Sequence, residues 1–280
     1  MNQFGGDWTK KKIEILVRYA ESYLKIMNRY PNFKLMYFDG FAGSGFIKSR
    51  ASKEYTMGAA KRIIELDQPK RFDIYYFVEK SKKKAKLLRI ATKDKFPKLK
   101  IIIRIDDCNN RLHALADYLK SKEGKKFAVL AYIDPCGMQL KWQSLEVLKG
   151  TRTDIWVLVP TGLGVNRLLK RNGNISDEWL NKLIEFLGIS SEQIISYFYP
   201  EKIEETLFGS ITYSKKLKNA IDKSAELYRE RLKTLFKFVT QPFVLTNKGG
   251  TIMYHLFLAS NYNAAYDIAN FLVKKFQHMK

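Results

Sequence analysis

Short apolar runs alternate with helical stretches five times between residues 35 and 159, and no other feature constrains the fold as much. The runs fall at 35–38, 74–78, 99–105, 127–133 and 155–159. Each is nearly continuous in aliphatic and aromatic residues instead of alternating with polar ones, which predicts strands covered on both faces. Helical spacing lies between them, at about 54–67, from Ser81 to about 95, at 111–120 and at 142–148. Such alternation closes as a parallel sheet with helices on both faces. An amphipathic helix over 9–29 precedes it, with Ile13, Leu16, Val17, Ala20, Leu24 and Met27 on one face. Asp7 or Thr9 can cap that helix and Pro31 ends it.

After Pro160 the pattern changes. Residues 161–240 read as helical, with Trp179, Leu180, Leu183, Phe186 and Leu187 on one face and a basic amphipathic stretch from about 215 to 238. Runs at 243–245 and 252–258 read as two more strands joined by the turn "TNKGG". A connection as long as 161–240 is unusual without structure of its own, so it predicts a helical insertion for substrate or partner recognition. The expected organisation is one domain over 1–280 that contains this insertion.

Fifty Lys and Arg face 28 Asp and Glu, a net charge of +22. A surplus of this size attracts polyanions, and DNA or RNA is the expected partner. Cys108 and Cys136 are the only cysteines, and neither sits in a Cys/His cluster, so neither a zinc site nor a disulfide framework is expected. His113, His255 and His278 are too scattered to suggest a metal site. No apolar run approaches membrane-spanning length, and "MNQFGGDWTK" lacks the basic-then-apolar pattern of a signal peptide. A soluble, cytoplasmic setting is the expectation.

Ligands of doubly wound sheets bind beyond the carboxyl ends of the strands. The first such end carries "YFDGFAGSGF", residues 37–46. Its glycine spacing resembles a P-loop, but Phe46 and Ile47 stand where Lys and Ser or Thr would hold phosphate. It also inverts the dinucleotide fingerprint, and the carboxylate of Asp39 would repel a pyrophosphate. An acid at that tip suits a ligand bearing an amino group and a sulfonium, such as S-adenosylmethionine. Glu79 ends the second strand, where a carboxylate can accept from both hydroxyls of a ribose. Asp106 and Asp107 end the third, placed to accept from an adenine amine, with Asn109 close by, or to cap the next helix. Asp134, followed by Pro135, ends the fourth.

"FDGFAGSG", "FVEK", "DDCNN" and "YIDPCG" resemble motifs of class I S-adenosylmethionine-dependent methyltransferases. With the opening "FGGDWTKKKIEILVRYAESYLKIM" and the late "YHLFLASNYNAA", the chain resembles more closely the three-Cys-motif partner protein family. The resemblance implies a Rossmann-like methyltransferase fold with a mostly parallel seven-stranded sheet and a helical insertion between strands five and six. It also implies a neighbour-encoded partner protein carrying the three-Cys motif. On this reading Asp39, Gly40, Phe41, Gly43 and Gly45 surround the methionine end of S-adenosylmethionine. Glu79 takes the ribose, Asp107 and Cys108 border the adenine, and Asp134 with Pro135 orients the acceptor.

Amine methyltransferases acting on bases place an acid or amide, two prolines and an aromatic at the fourth strand end, and the ring stacks on the extruded base. Here Cys136 and Gly137 replace the second proline and the ring, so Tyr132 or Trp142 would have to compensate. Pro135-Cys136 also resembles the Pro-Cys nucleophile of cytosine C5 methyltransferases, but no "ENV" segment follows to supply the matching acid. Residues 80–100 hold ten Lys or Arg, with Lys82, Lys83, Lys84 and Lys86 outside on the predicted helix. Lys215, Lys216, Lys218, Arg229, Arg231 and Lys233 form a second basic band near aromatics. Lys82, Lys83, Lys86, Lys215 and Lys216 are the expected phosphate contacts. The alternative is an adaptor that keeps the fold, binds nucleic acid or a partner, and has lost methyl transfer.

Overall fold

A computed structural model describes residues 7–48, 55–206 and 209–277. The chain begins with α1 (Asp7–Met27), β1 (Lys34–Asp39), a ribbon of β2 (Phe46–Lys48) and β3 (Tyr55–Met57), and α2 (Ala59–Ile64). Then come β4 (Ile74–Val78), α3 (Lys82–Ala91), β5 (Ile101–Arg104), α4 (Cys108–Lys120), β6 (Phe127–Ile133), α5 (Trp142–Glu146) and β7 (Thr153–Val159). A π-helical turn (Thr161–Val165) and the single turn α6 (Asn166–Leu168) lead to α7 (Asp177–Leu187) and α8 (Ser191–Phe198). The ribbon of β8 (Glu201–Thr206) and β9 (Gly209–Ser214) and the helix α9 (Ala220–Lys233) complete the insertion. The chain closes with β10 (Phe238–Val239), β11 (Phe243–Thr246), β12 (Ile252–Ser260) and α10 (Asn263–Gln277).

The central sheet runs β10-β12-β7-β6-β1-β4-β5, and β11 also pairs with β12. Strands β5, β4, β1, β6 and β7 are parallel, and β12 enters antiparallel beside β7. This is a Rossmann-like α/β fold with a mostly parallel sheet. Its sixth strand is broken in two at residues 240–242, where Thr240 takes over the pairing: its Oγ1 accepts from the Leu258 amide at 3.0 Å. Successive strands step outward from β1 in opposite directions, so the crevice beyond the tips of β1, β4 and β6 is where such a sheet receives a ligand.

Alternate residues of β1 explain the two layers. Leu35 and Tyr37 face one core with α1, α2 and α10, built on residues such as Leu16, Ala20, Ile63 and Ala269. Met36 and Phe38 face the other, which continues through Leu112 of α4 and Leu145 of α5 into Phe186, Phe198 and Tyr228 of the insertion. A buried polar clamp holds α1 against the sheet's far end, where Asp154 accepts from Tyr19 and Ser260 hydroxyls at 2.8 and 2.5 Å.

The predicted helix at 54–67 is shorter. Residues 55–57 form β3, and α2 starts only after Gly58, whose amide is held by the Gly45 carbonyl at 2.9 Å; the expected start at Glu54 lies outside the described residues. The helix expected from 111 starts earlier, at Cys108, because Asp107 accepts the Asn109 amide and caps it there. The insertion is helical as expected but carries the β8–β9 ribbon, which the sequence pattern does not predict. Its described side chains are largely exposed on both faces, including Ile203 and Ile211, so no buried stripe marks it. Residues 4–6 of the opening motif and His278 also lie outside the described residues.

Candidate functional site

The turn after β1 is pinned to both neighbouring strands. The Gly40 amide donates to the Tyr132 carbonyl of β6 at 2.9 Å, and the Ala42 amide donates to the Val78 carbonyl of β4 at 3.0 Å. Gly43 and Gly45 hold positive φ of 66° and 77°. Gly43 faces open space, whereas Gly40 is a packing glycine: a Cβ there would lie 2.5 Å from Cys108 Sγ. Cys108 is itself buried, so its thiol closes the floor of the turn instead of lining its mouth. Phe41 is half-buried against the core of the α4 face.

Asp39 is 2% exposed. One described hydrogen bond reaches its carboxylate, from the Phe41 amide at 3.1 Å. Burial pushes its carboxyl up to about 8; the Phe41 amide pulls the other way, and the charges of Asp134 and Glu79 add to the rise. The Tyr37 hydroxyl is buried beside Asp39 and Asp134, and burial first, then the charge of Asp39, pushes it well up. The site therefore holds a buried carboxyl that makes no ion pair among the described residues. Glu79 is half-buried and spends one carboxylate oxygen on the Ser81 amide at 2.8 Å.

The acceptor end contains a residue that no sequence motif marks. Lys12 of α1 is 6% exposed and reaches both carboxylate oxygens of Asp134, at 2.6 and 2.5 Å. Tyr132, at the end of β6, donates its hydroxyl to the same carboxylate at 3.0 Å. Lys12 also lies over the Trp8 ring, 5.1 Å from its centroid, and Trp8 packs against Tyr254 of β12 at 5.3 Å. The Tyr254 hydroxyl is pushed up to about 12, mainly by burial, and it senses Asp134 and Cys136. A lysine in "TKKKIEIL" gives no local signal of this role; only its place on the apolar side of α1, one residue before Ile13, hints at burial.

The remaining expected residues divide. Asp107 caps α4, bonds Asn109 and meets Lys80 at 3.1 Å; those contacts hold its carboxyl below its ordinary range despite partial burial. Asp106 pairs with Arg111 at 2.8 Å. Asn109 then ties α4 to the loop after Asp134, donating to the Gln139 carbonyl at 2.9 Å and accepting from the Lys141 amide at 2.8 Å. Pro135 is buried at the start of that loop. Cys136 is exposed, but its thiol is pushed up by the protein around it and by Asp134, which opposes a thiolate nucleophile.

Trp142 cannot supply the missing ring. It is 1% exposed and packs edge-on against Tyr228 inside the insertion's core. Tyr132 is buried as well and offers Asp134 its hydroxyl, not an open ring face. Lys82, Lys83, Lys86 and Lys215 are exposed, as expected of phosphate contacts, while Lys84 is half-buried near Cys136. Lys216 differs: it donates to the Asn166 and Leu169 carbonyls at 2.8 and 2.6 Å and so closes the end of α6. Among the described residues no cluster of His, Cys, Asp and Glu could hold a metal, and no helix is long and apolar enough to cross a membrane.

No family model matches the chain, and no curated protein matches it. Among solved structures it is similar to protein LPL1258 from Legionella pneumophila str. Philadelphia 1, of family model DUF519. That likeness has a TM-score of 0.51 at 11% identity and covers 97% of this chain and 92% of the other, so the two share a fold over nearly their whole lengths. Another similar structure is Trm1 from Pyrococcus horikoshii in complex with S-adenosyl-L-methionine, with a TM-score of 0.39 at 13% identity, covering 92% of this chain and 65% of that one.

Proposed function

We propose that this protein is an S-adenosylmethionine-dependent methyltransferase acting on nucleic acid, at an exocyclic amine of a base. The observation that carries the reading is the gathering of Asp39, Glu79 and Asp134 around one glycine turn at the carboxyl edge of the sheet. The residues fit the cofactor. The buried carboxyl of Asp39, which makes no ion pair among the described residues, suits the ammonium of its methionine end, and the open side of Gly43 leaves room beside it. The free oxygen of Glu79 can accept from the ribose. Bound there, the cofactor supplies an electrophilic methyl group.

Asp134 would accept a hydrogen from the acceptor amine and turn its lone pair toward the cofactor side. For that it exchanges part of its bonding with Lys12 for the incoming N–H. The net charge of +22 supports a polyanionic substrate, DNA or RNA. The resemblance to three-Cys-motif partner proteins adds a neighbour-encoded protein that would present or select that substrate.

A second reading has its own observation. Asp134 is already held by Lys12 on both oxygens, which suits an adaptor that keeps the fold without methyl transfer. Calorimetry with S-adenosylmethionine, followed by transfer of labelled methyl groups to separated DNA and RNA pools with and without the partner, distinguishes them. Binding plus transfer that Asp134→Ala abolishes is the expected result. Binding without transfer to any pool would select the adaptor, and an absence of cofactor binding by the wild type would remove the methyltransferase reading.

A further inference from the structure

The fourth-strand motif lacks the ring that would hold a base, because Gly137 stands in its place. The surroundings of Asp134 contain several rings, and most are closed off. Tyr37, Tyr132 and Tyr254 are all buried. Phe41 is half-buried but belongs to the turn beside Asp39 and packs into the opposite core. Among the described residues, Trp8, in the first turn of α1, is a half-exposed ring on the Asp134 side. Its position is fixed twice, by Tyr254 packed against it at 5.3 Å with a 33° tilt, and by Lys12 at 5.1 Å. Because Lys12 also holds Asp134, the Trp8 ring centre lies within about 8 Å of that carboxylate. A flat heterocycle resting on Trp8 would thus bring its edge toward Asp134.

We propose that Trp8 is the stacking surface for the acceptor base, with Tyr254 as its backing and Lys12 as the link that sets ring and carboxylate in register. The inference rests on the base-methyltransferase reading and adds where the base is held. It makes the first turn of α1 part of the acceptor site. Trp8 here is a positioning and specificity residue. Stacking on a π face tolerates any base, so the surface selects flat heterocycles as a class, and the edge contacts at Asp134 select among them.

The test uses the full chain saturated with S-adenosylhomocysteine, so that nucleotides cannot occupy the cofactor pocket. The four nucleoside 5′-monophosphates are titrated by calorimetry, with ribose 5-phosphate as the base-free control. Wild type is expected to bind at least one mononucleotide and not the control. Trp8→Leu should weaken that binding about 10- to 100-fold, the range that loss of one base–aromatic stack produces. Trp8→Phe, which keeps a ring, should stay within about fivefold of wild type. In methyl transfer, Trp8→Leu should raise KM for nucleic acid more than it lowers kcat. Unchanged mononucleotide affinity in Trp8→Leu, or no binding of any mononucleotide by the loaded wild type, would overturn the proposal. Retained S-adenosylhomocysteine affinity in Trp8→Leu separates these outcomes from misfolding. A wild type that fails to bind S-adenosylhomocysteine would count against the cofactor reading instead, and the cytidine and uridine monophosphate titrations would still report on Trp8.

Discussion

Asp39 and Asp134 are the same residue type at adjacent strand tips, yet their partners give them opposite characters. Asp134 is paired directly with Lys12, whereas Asp39 makes no ion pair among the described residues, and burial takes its carboxyl up to about 8 against the weaker pull of the Phe41 amide and the Lys12 charge. A folded-state value above the unfolded one means that the group's stabilising contribution is complete below about pH 4 and is lost as pH climbs through 8. Asp39→Asn should therefore be more stable than wild type at pH 8 by roughly 4 kcal/mol, with the gap shrinking toward pH 4, as thermal unfolding across that range would report. The same substitution should abolish S-adenosylmethionine binding. At pH 7 wild-type binding should release a proton, seen as a heat that depends on the buffer, because a cationic ligand draws Asp39 into its ionised form. The Lys12–Asp134 pair should behave in the reverse sense. Lys12→Met strands a mostly buried carboxylate and should cost about 3 kcal/mol in chemical denaturation. Lys12→Met combined with Asp134→Leu should cost clearly less than the two single changes added together.

At the level of elements, the site depends on how closely the end of β1 meets the start of α4. Gly40 has no room for a methyl group because Cys108 Sγ would sit 2.5 Å away and Ile133 Cδ1 2.8 Å away. Gly40→Ala should lower stability by about 1–3 kcal/mol and weaken cofactor binding, since relief requires α4 or the turn to move. Adding Cys108→Ala should restore part of both losses, measured by thermal unfolding and cofactor titration. This local geometry is partly legible in the sequence. The glycines announce the turn, but their spacing reads as if all of them made room for ligand. The structure separates Gly43, which faces open space, from Gly40, which accommodates a thiol. The β8–β9 ribbon is illegible for a related reason: a strand pair without a buried face leaves no hydrophobic period to read.

Across the whole molecule, charge and fold act at different ranges. The surplus of +22 spreads over a surface whose exposed lysines include Lys82, Lys83 and Lys86 on α3. Nucleic-acid affinity should fall steeply with salt. Lys82→Gln, Lys83→Gln and Lys86→Gln together should reduce the slope of log K against log salt by roughly one for each phosphate no longer neutralised. Lys216→Gln should leave that slope nearly unchanged and lower thermal stability instead, because its ammonium serves the carbonyls at the end of α6. Filter binding over a salt series checks both. Composition alone groups Lys216 with the phosphate-binding lysines, since net charge is blind to where an ammonium is satisfied.

The sequence by itself determined the sheet, its order of strand and helix, and the acids at the strand tips. Continuous apolar runs can be satisfied only by two-sided burial, and strand ends are local features. Only the tertiary structure decided what those acids meet. Lys12 and Asp134 are 122 positions apart, and Trp8 and Tyr254 are farther apart still. Their encounters depend on α1 packing across the face of the sheet to which Tyr254 of β12 points, a long-range outcome that no local pattern encodes.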